Sequence, residues 1–62
     1  MVQETAEIAG ELLTISGHWD PEAEVWTATS PQVPGLVLEA ETWPEIMLEA
    51  ALLAPELLKV TH

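Results

Sequence analysis

Apolar and polar residues alternate along the middle of this chain and recur at helical spacing near its end. Leu13, Ile15 and Trp19 share one parity, with Thr14, Ser16 and His18 between them. That period of two predicts a half-buried strand. Asp20-Pro21-Glu22-Ala23-Glu24 interrupts it, since Pro21 fixes φ and Asp20 can hydrogen-bond the backbone ahead of it. Val25-Trp26-Thr27-Ala28-Thr29-Ser30, β-branched and aromatic, predicts a second strand and so an antiparallel hairpin. Pro31-Gln32-Val33-Pro34-Gly35 is a second break, and its Pro-Gly pair suits a type II turn with positive φ at Gly35. Leu36-Val37-Leu38-Glu39-Ala40 then reads as a third short strand.

A helix start follows at Thr42-Trp43-Pro44-Glu45. Thr42 caps free N–H groups, Glu45 reaches back in a capping box, and Pro44 is tolerated in the first turn. Ile46, Met47, Ala50, Leu53, Leu57 and Leu58 form one apolar face, while Pro55 predicts a kink or a break. Residues 1–11 mix Glu4, Glu7 and Glu11 with small residues and Gly10, and are expected as a flexible acidic lead-in. The expected fold class is therefore α+β. A three-stranded antiparallel sheet carries one kinked C-terminal helix, in the order β-β-β-α, as a single domain over residues 12–60.

Leu48 and Leu52 fall off that apolar face. Either the sheet wraps more of the helix than expected, or these leucines lie in a subunit interface. A chain of 62 residues buries only about 60% of its unfolded surface. A homodimer with Leu48 and Leu52 between its subunits is thus the expectation.

Charge changes the picture most. Eleven Asp or Glu stand against a single Lys and no Arg, for a formal charge of −10. Nucleic acid and anionic membrane are poor partners for such a surface, and a basic protein is a natural one. Hydrophobic residues make up 48% of the chain, too many for an acidic disordered tail. There is no Cys, which excludes disulfides and thiolate–metal bonds. The opening Met1-Val2-Gln3-Glu4 lacks the positive region of a signal peptide, and the unbroken apolar run Ala50–Ala54 is far too short to span a membrane. A cytoplasmic protein is expected.

Candidate chemistry is sparse. Asp20, Glu22 and Glu24 have the opening spacing of a calcium loop, but the sixth and twelfth positions hold Val25 and Pro31 instead of Gly and Glu. His18 and His62 have no second ligand at metal-binding spacing. Ser16, His18 and Asp20 point the same way from one strand, which is not the geometry of a triad. No phosphate-cradling Gly loop is present. The expectation is no catalysis, no metal and no cofactor. Among the tryptophans, Trp26 is expected in the core and Trp43 packed back from the helix start. Trp19 is expected as an exposed anchor, with Glu39 and Glu41 as its charge partners. Asp20, Glu22 and Glu24 complete the expected partner-binding set.

Trp19-Asp20-Pro21-Glu22-Ala23, Val25-Trp26-Thr27-Ala28-Thr29-Ser30, Val33-Pro34-Gly35-Leu36 and Glu39-Ala40-Glu41-Thr42 together resemble small bacterial proteins of unknown function related to the N-terminal domain of HicB antitoxins. The resemblance spans about residues 12–60. It implies a β-β-β-α, HicB-like fold, homo-oligomers, and neutralisation of a small basic RNA-cleaving toxin. HicB antitoxins also carry a C-terminal DNA-binding domain, for which no counterpart is seen before His62. Three readings stay open at this point. The chain is an antitoxin-like module, an acidic nucleic-acid mimic of the anti-CRISPR kind that blocks a DNA-binding complex, or an acidic surface with no specific partner.

Overall fold

The computed structural model describes residues 1–61; His62, weighed above as a ligand, lies outside them. Its elements are strands β1 (Val2–Ile8), β2 (Glu11–Asp20), β3 (Val25–Thr29) and β4 (Val37–Ala40), followed by helix α1 (Trp43–Thr61). The strands form one antiparallel sheet in the order β1-β2-β3-β4. The class is α+β as expected, but the sheet has four strands where three were expected. The segment read as a lead-in supplies the additional one.

β1 pairs with β2 from Ile8↔Glu11 to Val2↔Gly17. Ala9 and Gly10 make the two-residue turn between them, with φ of 54° and 81°. Positive φ at both central residues is the hairpin geometry whose twist matches that of the strands. Gly10 adopts it without a steric penalty. Val2, Glu4, Ala6 and Ile8 face the helix, and Gln3, Thr5 and Glu7 face away.

The other connections follow the expected turn chemistry. Asp20 Oδ1 accepts the N–H groups of Glu22 and Ala23 at 3.0 and 3.3 Å. The Asp20 carbonyl accepts the Glu24 N–H at 2.8 Å. Glu24 closes the loop at φ 58°. Between β3 and β4, Val33 N–H donates to the Ser30 carbonyl and Leu36 N–H to the Val33 carbonyl, both at 3.1 Å. Gly35 takes φ 89°, as a type II turn after Pro34 requires. These turns drive Val33 and Leu36 into the core.

β2 outruns β3, because their pairing begins only at Ser16↔Thr29. Gln32 covers part of the exposed edge. Its Oε1 accepts the Thr14 N–H and the Ser30 hydroxyl, both at 3.0 Å, and its Nε2 donates to Thr14 Oγ1 at 3.4 Å. A side-chain amide thus replaces the missing strand at that point.

One face of the sheet packs on α1. Leu13, Ile15, Ala28, Leu38 and Ala40 meet Ile46, Ala50, Ala54 and Leu58, with Ile8, Val33 and Leu36 closing the ends. Fully burying a side chain such as Ile15 or Ile46 contributes about 1.5–3 kcal/mol. The expected helix face is right at Ile46, Ala50 and Leu58, while Met47 and Leu57 are only partly buried. Leu53 is exposed, and Ala54 takes the central position instead. The helix does not break at Pro55 but continues to Thr61. The opposite face of the sheet, with Thr5, Thr14, Ser16, His18, Thr27, Thr29 and Val37, is covered by none of the described elements.

Candidate functional site

Antiparallel order places the C-terminal ends of β2 and β4, the start of β3 and the N-terminus of α1 at one end of the sheet. Here the tryptophans form a ladder. Trp19 and Trp26 are directly opposed across β2 and β3, with ring centroids 5.7 Å apart and planes at 64°. Trp26 meets Trp43 of α1 at 5.3 Å and 62°. Both are edge-to-face contacts, the favoured arrangement for aromatic pairs.

Trp43 locks the helix onto the sheet. Its ring lies over Gly17, where a Cβ would sit only 2.3 Å from Trp43 Cζ3. Its Nε1–H donates to Glu4 Oε1 on β1 at 2.8 Å. One side chain therefore ties α1 to β1, β2 and β3. Thr42 caps the same helix start: its Oγ1 accepts the Glu45 N–H at 3.3 Å and donates to Glu45 Oε1 at 3.1 Å. The carboxylate binds the capping hydroxyl, a variant of the expected box.

Trp19 is 42% exposed and ends the ladder beside the Pro21–Glu24 loop. Glu22 and Glu24 in that loop, Glu41 after β4 and Glu45 in the first helical turn are exposed at the same end. Lys59 lies fourteen residues beyond Glu45 on α1, roughly 21 Å away at the helical rise. Lys59 is thus remote from this end, with Glu56 three residues before it and Glu11 lining the same groove.

The expected binding residues do not form a single patch. Asp20 is half-buried, and its Oδ1 is occupied by the loop N–H groups, so it shapes the turn. Glu39 aligns with Thr27 and His18, on the face of the sheet opposite Trp19. Trp19, Glu22, Glu24 and Glu41 remain together. Glu45 joins them; its role in the cap marked it as structural in the sequence, and only the fold reveals its neighbours. Leu48 and Leu52 are 63% and 68% exposed on the outward side of α1, where the sheet does not reach them.

His18 Nε2 meets Thr27 Oγ1 at 3.4 Å on the face of the sheet opposite the helix. Ser16, His18, Thr27, Thr29 and Val37 line a groove of about 150 Å³ there, below the 300–1,000 Å³ common for small-molecule sites. A second groove, of about 330 Å³, is open and mostly apolar, between the Ala9 turn and Pro55, Leu58 and Lys59. Among the described residues, no three His, Asp or Glu side chains converge on a metal position. No described helix is long and apolar enough to cross a membrane.

Neither curated proteins nor solved structures provide a match to this chain. A family profile does match, over residues 12–61, and its description is a domain of unknown function (DUF1902). β1 lies outside the matched span, which runs from the start of β2 through α1. That span is most of the molecule, and the chain belongs to the DUF1902 family.

Proposed function

We propose that this chain is an acidic protein-binding module of the HicB-like, antitoxin kind, acting in the cytoplasm without catalysis or cofactor. Its partner is a basic protein, an RNA-cleaving toxin or another nucleic-acid-handling protein, whose nucleic-acid surface it covers. The observation behind this reading is that Glu22, Glu24, Glu41 and Glu45 are exposed at the same end of the sheet as the half-exposed Trp19. Carboxylates stand in for phosphates opposite Arg and Lys, and a rigid aromatic supplies the apolar anchor that charge alone lacks. The net charge of −10 speeds encounter with a cationic surface. The sequence resemblance to HicB antitoxins points the same way. An extended mimic of duplex nucleic acid needs acids in rows; clustering at one end favours capping a compact basic site.

The test is capture of partners from the native host, comparing wild type with Trp19→Ala and with Glu22, Glu24 and Glu41 changed to Lys. A basic partner should be retained at low salt, released at high salt, and lost from both variants. Added chain should also inhibit the partner's RNA cleavage. Capture indifferent to salt and to charge reversal overturns the reading. If the partner is a DNA-surveillance complex whose target binding is blocked, the anti-CRISPR-like mimic replaces the antitoxin.

A further inference from the structure

The outward side of α1 carries a pattern that the fold of one chain uses only in part. Glu45 accepts the Thr42 hydroxyl, Pro55 and Lys59 border the groove beside the Ala9 turn, and Leu48 and Leu52 are left exposed. Glu45, Leu48, Leu52, Pro55 and Lys59 follow alternating steps of three and four residues. At 100° per residue, such positions form one narrow stripe, the spacing of a two-helix seam. The core-facing residues Ile46, Ala50 and Ala54 lie on the opposite side of the helix. Leu48 and Leu52 are among the most exposed large apolar side chains, and Lys59 and Glu45 are exposed as well.

We propose that this stripe is a self-association surface on which two copies pair α1 to α1, antiparallel, about a two-fold axis at Leu52. Charge selects both occupant and direction. Glu45 lies seven residues before Leu52 and Lys59 seven after it, two helical turns in each direction. Antiparallel pairing centred on Leu52 sets Glu45 of each copy against Lys59 of the other, and Leu48 against the partner's Pro55. A two-fold axis generates both ion pairs at once. Parallel pairing would oppose Glu45 to Glu45 and Lys59 to Lys59. Along one flank, Glu49 of each copy faces Glu56 of the other, and the two repel. One helix-to-helix contact is also smaller than the roughly 800 Å² per partner of a standard interface. The dimer is therefore weak, concentration-dependent and favoured by salt, which screens that repulsion. This surface meets the acidic end at Glu45, while Leu48, Leu52, Pro55 and Lys59 lie outside it. Leu52→Lys tests the stripe alone, and changes at Glu22, Glu24 and Glu41 test the acidic end alone.

The chain has no cysteine, so introduced thiols report orientation directly. Under mild oxidation, Leu52→Cys should form a disulfide-linked dimer. A mixture of Glu45→Cys and Lys59→Cys should cross-link to each other in preference to themselves. Wild type should move from monomer to dimer mass in sedimentation as concentration rises, whereas Leu52→Lys should stay folded by circular dichroism and monomeric. Cross-linking of position 45 to 45 and of 59 to 59, without the mixed product, overturns the antiparallel pairing. A folded wild type that remains monomeric at millimolar concentration overturns the surface altogether.

Discussion

At Gly17 a missing side chain is what the structure requires. The position is buried beneath Trp43, and the first atom of any side chain would overlap that ring. Backbone freedom is not the reason, since the φ of Gly17 is not positive. Gly17→Ala should therefore destabilise the fold by about 1–3 kcal/mol, the usual cost of overpacking. For a domain of this size that lowers Tm by at least about 4 °C. In the background of Trp43→Ala the same change should cost much less, because the clashing ring is gone. Equal melting losses in both backgrounds would show that Trp43 does not set the constraint. Sequence reading reached Trp43 but not its partners. Gly17 carries no side-chain signal of its own, and Glu4 lies in the segment expected as a lead-in, yet its carboxylate accepts the Trp43 Nε1–H.

Connections show which local signals determine elements. Pro34-Gly35 and Thr42 were legible because each has a stereochemical demand readable from residue type alone. Gly35→Val would force a β-branched side chain to φ 89° and should cost more than about 1 kcal/mol, read as a lower Tm. Thr42→Ala should cost about 1 kcal/mol through the lost cap. β1 was not legible. Its inward positions, Val2, Glu4, Ala6 and Ile8, include a carboxylate and a small residue, so the period of two is faint. The signal lay in the Ala9-Gly10 turn that the weak strand precedes. At the other end, Pro55 does not break the helix. Proline removes one backbone bond, and packing of Ala54 and Leu58 on either side holds the helix through it. Pro55→Ala restores that bond, so the melting temperature should rise. Proline costs about 3 kcal/mol against alanine in an unsupported helix interior, and the gain here should be smaller, because the native helix already accommodates the ring. A fall in Tm would mean that Pro55 contributes packing worth more than the hydrogen bond.

Across the whole molecule, the two assigned surfaces are separated by their response to salt. In the proposed complex the acidic end would attract its basic partner through exposed charges, an attraction screened beyond a Debye length of about 8 Å at physiological ionic strength. Two copies of this chain meet with −10 on each, so added salt relieves their repulsion. The proposed Glu45–Lys59 pairs are screened too, but exposed ion pairs typically contribute only ~0.2–1 kcal/mol. Burial of Leu48 and Leu52 is indifferent to simple salt at moderate concentration, so the net effect on self-association follows the long-range repulsion. Raising salt should therefore loosen the hetero-complex and tighten the homodimer. Sedimentation of the chain alone and titration with its captured partner, each at low and high salt, measure the two slopes. Charge reversal at Glu22, Glu24 and Glu41 provides the control. It lowers the net repulsion between copies, and so should strengthen self-association at low salt while abolishing partner binding. If both equilibria weaken together as salt rises, one electrostatic surface serves both, and the division between the acidic end and the helix stripe is wrong.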